Sequence, residues 1–392
     1  MHASLRIQLY EDRNATLLVD DLSGQWQSLS FRTALHGGFK DCHMLVSTDL
    51  GRAWSYLKRE QSHGHHYRHL SIQDEIGTVW EGRLTNVGLS ISGGAVGLDL
   101  QSFGYWSSMR DQYYDASDAG RTDWTVGTLQ KASDVIKEMI TNECPQINGT
   151  ADIDANGHDL TGIDLKGKNY PMDVIIDKLA PLSDTDFSVW YFGVWEKRKP
   201  YWKKRTLSVV NWYIWMRDID QLNLVQQGMH LRNSITYAIG TGTATTFSVD
   251  ADSTAIYPTR EIVISLPAGI SSTSTLLTDA QRKTRDERSS PRQDQSFSIK
   301  GHTYSAGVGT ARGTAGGLNE MPKWWVRAGD VIRIQDLVPA GVATGTLDDV
   351  RTFYILETQY DANRDALQVQ PDRPASPLGA ILSRLGQLEL NK

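Results

Sequence analysis

A chain of 392 residues is too long for one ordinary core, and it predicts two to four domains. Hydrophobic residues make up 40% and charged residues 22%, which excludes a disordered chain. With 40 Lys plus Arg against 46 Asp plus Glu, the net charge of -6 argues against a general nucleic-acid binder.

Cys42 and Cys144 are the only cysteines and lie far apart, so neither a disulfide framework nor a cysteine zinc ribbon is available. The start, MHASLRIQLYEDRN, has no basic stretch leading into an apolar core, so no signal peptide is expected. No apolar run approaches the roughly 20 residues that a helix needs to cross a bilayer, so stable membrane insertion is not expected.

Short alternating segments dominate the chain. In SLRIQLYED, Leu5, Ile7 and Leu9 share one face of a half-buried strand. QWQSLSFRTAL and DCHMLVSTD read as further strands. LGRAWSYLKRE is a short helix with Trp54 and Leu57 at i and i+3. TVWEGRLTNVGLSISGGAVGLDLQSFGYW reads as a hairpin turning at Ser92-Gly93-Gly94. These pieces define a first β-domain over 1–116.

The pattern then changes. TLQKASDVIKEMIT has helical spacing, with Thr128 as its N-cap, and YPMDVIIDKLAPL is a second helix with Pro171 in its first turn. DFSVWYFGVWE, YWKKRTLSVVNWYIWM and LRNSITYAIG are rich in Tyr, Trp and Val, as strands are. An α+β domain over 117–230 is expected, then a second β-rich domain over 231–375. The latter carries a polar helix near 276–290, a Gly-rich loop GTARGTAGGLNEMP and closing strands from WWVRAGDVIRIQDL onward. SPLGAILSRLGQLELNK, over 376–392, reads as an amphipathic helix whose apolar face includes Leu382 and Leu385.

Four histidines crowd QSHGHHYRHL: His63, His65, His66 and His69. Neutral imidazole suits zinc, copper or nickel, but Gly64 loosens the segment and a closed site needs fixed rotamers. A polar loop is the plainer reading. Asp184 with Asp186, and Asp218 with Asp220, offer the paired carboxylates that a glycosidase uses, or simply turn chemistry. The stretches from Gly240 and Gly307 are Gly-rich but lack the Lys-Ser/Thr ending of a phosphate loop. WEKRKPYWKKR mixes aromatics with cations as single-strand binders do, yet on an acidic chain a subunit contact or a charged sheet edge fits better. Trp324-Trp325 is either a sugar-stacking platform or a core or interface anchor. None of these assembles a catalytic set, and no cofactor is implied.

QWQSLSFRTALHGGFKDCHMLVSTD followed by LSIQDEIGTVWEGRLTNVGLSISGGAVGLDLQSFGYWSSMRD resembles the first domain of tail-tip and baseplate hub proteins of tailed bacteriophages. The resemblance rests on Gly37-Gly38-Phe39, on Leu70 and Ile72, on Trp80-Glu81-Gly82-Arg83 and on Gly104-Tyr105. VRAGDVIRIQDL, TFYILETQYDANRDALQVQPDRP and LGAILSRLGQLE are similar to the closing β-domain and terminal helix of phage minor tail proteins, with Asp361 and Pro371 at turns.

The resemblance implies a mainly β, multidomain fold with α+β insertions and tail-tube-like barrel or sandwich domains. It also implies a non-enzymatic homotrimeric ring in the virion tail tip, assembled in the host cytoplasm. Its partners would be distal tail or tail-tube proteins, a central fibre or spike and the tape-measure protein, with DNA passing through the lumen without specific binding. Domains that cleave peptidoglycan or bind a receptor are not expected. His66, Trp195, Lys197, Arg198, Tyr201, Trp202, Leu382 and Leu385 are the candidate inter-subunit contacts. A hexameric distal tail ring and a glycan-binding or glycan-cleaving phage protein are the alternatives.

Overall fold

The computed structural model describes residues 5–57, 67–122, 124, 129–155, 159–161, 165–180, 190–204, 210–222, 226–227, 233–239, 245–249, 259–266, 292–293, 296–306, 318–337 and 352–372. Strands β1 (Arg6–Tyr10), β2 (Leu18–Asp21), β3 (Trp26–Ala34), β4 (Gly37–Thr48), β5 (His69–Gln73), β6 (Thr78–Ser92) and β7 (Ala95–Phe103) form the first β-unit, with helix α1 (Leu50–Leu57) between β4 and β5. Their antiparallel order runs β2-β1-β5-β6-β7-β4-β3. The β6–β7 turn is Gly93-Gly94, both at positive φ, because a tight two-residue hairpin turn needs left-handed residues.

Ile7 and Leu9 are buried as their alternation predicts. On α1 the buried residues are Ala53 and Tyr56, whereas Trp54 is 54% exposed. The helix is rotated from the Trp54–Leu57 expectation because Arg52 and Tyr56 both reach back to Asp20 on β2, with bonds of 2.6 Å from the Arg52 Nη2 and the Tyr56 hydroxyl.

A second core gathers around α2 (Ala132–Glu143) and α3 (Pro171–Asp173), which runs on into a π-helical turn over Val174–Leu179. Strand β8 (Leu129–Lys131) pairs with β9 (Asp159–Thr161). Because β8 carries the chain up to α2, the helix starts at Ala132 behind Lys131 and not behind Thr128, which lies outside the described residues. The hairpin of β10 (Trp190–Trp195) and β11 (Lys199–Lys204) closes this core with Trp190, Phe192, Val194 and Trp202. Trp190 and Trp202 stack at 5.3 Å.

The remaining strands are β12 (Trp212–Trp215), β13 (Ile219–Gln221), β14 (Gln226–Gln227), β15 (Ser234–Ile239), β16 (Thr245–Val249), β17 (Glu261–Leu266), β18 (Arg292–Gln293), β19 (Phe297–Ile299), β20 (Thr303–Ala306), β21 (Leu318–Met321), β22 (Val331–Gln335), β23 (Thr352–Asp361) and β24 (Ala366–Asp372). Strands β16, β15 and β17 form a small separate sheet, and β14 pairs with β18. The others form a second unit ordered β13-β19-β24-β23-β22-β12-β20-β21. Part of the expected Gly-rich loop, Leu318–Met321, is strand here because β20 supplies a free edge to pair with. Pro371 lies within β24 rather than at a turn. The bulge at Leu356, next to the Ile355–Pro371 pair, disturbs the ladder where proline has no N–H to give. The polar helix near 276–290 and the helix over 376–392 lie outside the described residues.

The two β-units share one hydrogen-bonded seam. Strand β24 occupies one edge of β23, while β22 and then β3 occupy the other edge end to end, with Gln359 opposite Arg32 and Tyr360 opposite Phe31. One hydrophobic core accordingly runs from Ile7 through Trp80 and Trp324 to Val369. Strand β4 also meets β10 in parallel at Gly37 and Gly38. Gly38, at φ +77, is required there, since a Cβ would come within 2.6 Å of the Val194 backbone nitrogen.

Candidate functional site

Two features stand out: a buried junction where the parts of the chain are bolted together, and a continuous polar sheet face. The junction is built by Lys323 to Arg327, a short 3-10 turn leading into β22. Its charged and aromatic side chains are almost fully buried, so each one has to find a partner. Both indole N–H groups donate to one oxygen of Asp74, from Trp324 at 2.9 Å and Trp325 at 2.7 Å. The other Asp74 oxygen accepts the Ile76 and Gly77 amides at 2.8 and 3.0 Å. The Lys323 ammonium donates to the carbonyls of Lys300 and Asp365, each at 2.8 Å.

Arg327 sits over the rings of Trp325, Phe39 and Trp195 at 4.8, 5.0 and 5.6 Å. It pairs with Glu196 and donates to the Thr78 carbonyl at 2.8 Å. Four side chains of one five-residue segment therefore reach the first β-unit, the β10–β11 hairpin and the second β-unit.

The hairpin turn carries a second node. Lys197 and Arg198 both have positive φ, at 61° and 60°, which is rare for residues with a Cβ. Glu81 on β6 is buried and accepts the Arg198 amide at 2.7 Å. Burial pushes its carboxyl up to about 7, against the pull of the Arg198 and Lys197 amides. The Arg198 guanidinium donates to the Gln146 carbonyl and to the Asn14 side chain, each at 2.9 Å. Beside it, the Nδ1 of His69 lies 2.9 Å from the Tyr105 hydroxyl, and burial pushes His69 down to about 4.

The polar face is legible from strand register. Asn86, Gln101, His43, Ser30 and Asp361 form one row across β6, β7, β4, β3 and β23. Arg32, Gln359, Gln368 and Ser298 form the next row across β3, β23, β24 and β19. All are partly or fully exposed, and the face passes from the first β-unit to the second without a break. Among the described residues, the cations Arg32 and Lys40 beside these rows are paired: Arg32 chelates Asp41 at 2.8 and 3.0 Å, and Lys40 meets Glu357 at 2.7 Å.

The sequence-predicted site residues scatter. Trp195 and Trp202 are core residues on opposite faces of the hairpin, 7% and 0% exposed, so neither is free to touch another subunit. Lys197 is exposed at the turn, Tyr201 is half-buried beneath Lys203, and Arg198 is engaged within the chain. His69 belongs to β5 and is buried, so it does not join a histidine loop. His63, His65, His66, Asp184, Asp186, Leu382 and Leu385 lie outside the described residues. Among the described residues no cluster of three or more His, Cys, Asp or Glu side chains is placed to hold a metal.

Asp218 turns inward and accepts the His302 amide at 3.2 Å, while Asp220 pairs with Lys300 at 2.7 Å, so these two carboxylates serve a turn. Trp324 and Trp325 are core anchors. Asp74, Lys323 and Arg327 escaped sequence reasoning, and Glu81 entered it only as part of the Trp80-Glu81-Gly82-Arg83 motif. The one available signal was the alternation of charge and tryptophan in KWWVR.

No protein-family model matches the sequence, and no curated protein does either. Solved structures do match. The 43 kDa tail protein of prophage MuSo2 from Shewanella oneidensis has a TM-score of 0.60 at 9% identity, covering 95% of this chain and 98% of its own. A tail protein from Neisseria meningitidis gives 0.55 at 9% identity, covering 95% of this chain and 100% of its own. A prophage tail protein from Listeria monocytogenes gives 0.53 at 8% identity, with 98% and 99% covered. At such identities the likeness is one of fold. The chain has the mainly β fold of phage tail proteins over nearly its whole length.

Proposed function

We propose that this chain is a non-enzymatic subunit of a homotrimeric hub ring at a phage tail tip. It would join the tail tube or distal ring to a central spike or fibre and line part of the channel for DNA. The observation that carries the reading is the unbroken polar face running across both β-units. A surface on which amides and hydroxyls replace free cations does not release counterions from DNA, so a polyanion slides past it instead of sticking. Two β-units joined through β23 also give a ring of three chains six β-units, which suits a sixfold tube above and a threefold spike below. The exposed Lys197 and half-buried Tyr201 remain the contact candidates of the hairpin.

Native mass spectrometry and electron microscopy of the purified protein test this reading: a three-chain ring is expected, and a hexamer or a stable monomer overturns it. The orientation of the face is tested by Gln359→Cys, since Cys42 and Cys144 are buried. In the ring this cysteine should react with a small maleimide and resist one attached to a folded protein. Equal reaction with both reagents would place the face outside the ring.

A further inference from the structure

One face of the β10–β11 hairpin borders a cleft that neither a ring nor a channel explains. The ladder sets Tyr191 opposite Lys203, Gly193 opposite Tyr201 and Trp195 opposite Lys199. Opposed residues share a face, so Tyr191, Trp195, Tyr201 and Lys203 stand on one side of the hairpin, while Phe192, Val194 and Trp202 enter the second core on the other. Gly193 has no side chain to set against Tyr201, which leaves the middle of the first face bare. Arg327, Ala328, Gly329 and Asp330, the run leading into β22, line the same cleft. Its volume of about 300 Å³ lies at the lower end of the range for small-ligand sites.

The walls are set before any ligand arrives. The Trp195 ring is packed by Phe39, edge-on at 5.2 Å, and by the Arg327 guanidinium at 5.6 Å. Tyr191 lies against Gly329, its ring and hydroxyl 3.6–3.7 Å from where a Cβ would be. One Asp330 oxygen accepts the Trp212 indole N–H at 2.7 Å and the Arg327 amide at 3.2 Å.

Several polar groups of these walls are unused. Among the described residues, the Trp195 indole N–H, the Tyr191 and Tyr201 hydroxyls and the second Asp330 oxygen have no hydrogen-bond partner. The Lys203 ammonium meets only the Tyr201 ring, 5.0 Å from its centre. None of these atoms is sealed from water. Burial pushes Tyr191 up to about 12 and Tyr201 above its ordinary value, so both hydroxyls keep the proton they can donate.

We propose that the cleft binds a neutral saccharide, a single sugar ring or a short stretch of glycan. Charge disfavours the simpler ligands. An anion drawn to Lys203 would meet the Asp330 carboxylate, and a cation drawn to Asp330 would meet Lys203. Arg327 does not tip that balance, because Glu196 and the Thr78 carbonyl already hold it. A sugar hydroxyl both accepts and donates, so one ligand can answer the indole, the phenols and the ammonium while donating to Asp330. Its C–H faces have the tyrosine rings to lie against. A peptide added along a sheet is read through its backbone, whereas every unused group here belongs to a side chain. Asp330 is the one carboxylate lining the cleft among the described residues, and glycoside hydrolysis uses a pair, so the glycan is held and not cut.

Calorimetric titration of the purified full chain tests this, with neutral hexoses, N-acetylhexosamines and their disaccharides carried to tens of millimolar. Acetate, lysine and a neutral tripeptide stand for the competing classes. At least one saccharide should bind saturably, and the competing classes should not. Tyr191→Phe combined with Tyr201→Phe keeps both rings and should weaken the binding by about 10-fold or more, because each lost hydroxyl leaves a sugar hydrogen bond unmade. Lys203→Met should weaken it as well, and far-UV circular dichroism checks that both proteins fold.

Absence of saccharide binding in the folded wild type overturns the assignment. So does saturable binding of acetate, lysine or the tripeptide in its place, or saccharide binding that both variants leave unchanged. The cleft lies within one chain. A saccharide bound there would occupy Tyr201 and leave Lys197 as the hairpin's ring contact, with no bearing on the number of chains in the ring.

Discussion

Asp74→Ala is the sharpest probe of the junction. The wild-type carboxylate sits 9% exposed with two indole donors on one oxygen and two backbone donors on the other. The Ile76 and Gly77 amides belong to a turn at the surface, where water replaces the lost acceptor cheaply. The Trp324 and Trp325 N–H groups have no such recourse. Each buried donor left unmade costs about 1–3 kcal/mol, so the substitution should destabilise the chain by roughly 4 kcal/mol, a large share of a typical domain's stability.

Asp74→Asn separates the contributions, because its one carbonyl oxygen serves either the indoles or the turn, and its NH2 then faces donors. About 2 kcal/mol or more is expected from that mismatch. Urea unfolding followed by far-UV circular dichroism measures both variants. Adding Trp324→Phe to Asp74→Ala should cost less than Trp324→Phe alone, because the orphaned N–H is then already lost. A loss below 1 kcal/mol in Asp74→Ala, or full additivity in the cycle, would refute the claim that Asp74 bolts the tryptophans down.

Gly38→Ala should lower stability by roughly 3 kcal/mol in the same assay, because a Cβ at φ +77 collides with the Val194 backbone where β4 meets β10. Arg327→Lys keeps the charge but cannot serve Glu196 and the Thr78 carbonyl together from among three rings, and a loss of about 2–4 kcal/mol in urea unfolding is expected. His69 is held neutral by burial, its value lowered from 6.5 to about 4, so its stabilisation is present above pH 6.5 and lost as pH falls to 4. His69→Gln should then remove up to about 3 kcal/mol of acid sensitivity between those limits, seen as a smaller drop in thermal midpoint from pH 7 to pH 4.

Local patterns carried much of this fold in the sequence. Alternation at Ile7 and Leu9, the Gly93-Gly94 turn, the helical spacing of Val135, Ile136 and Met139 and the valine- and tryptophan-rich hairpin all appear as read, since each depends on neighbours a few residues away. The fold of phage tail proteins was likewise legible, because a long ordered series of weak motifs survives where no single one is specific.

The placement of the candidate contact residues was not legible in the same way. Trp195, Trp202 and Arg198 looked like a surface patch because aromatics and cations were adjacent along the chain. In a strand, adjacent residues face opposite ways, and the hairpin sends Trp202 into one core and Trp195 into another.

The composition, the strand alternation and the turn glycines are determined by the sequence itself, because short-range sterics and hydrophobic period suffice for them. Where β23 would lie was decided only in three dimensions, by its two edges being offered to β24 and to β22 and β3 together. From that pairing come the shared core and the continuous polar face, and with them the burial of Asp74 against Trp324 and Trp325. Residues some 250 positions apart, such as Asp74 and Trp325, become partners only when a fold removes both from water and leaves each no other way to satisfy its hydrogen bonds.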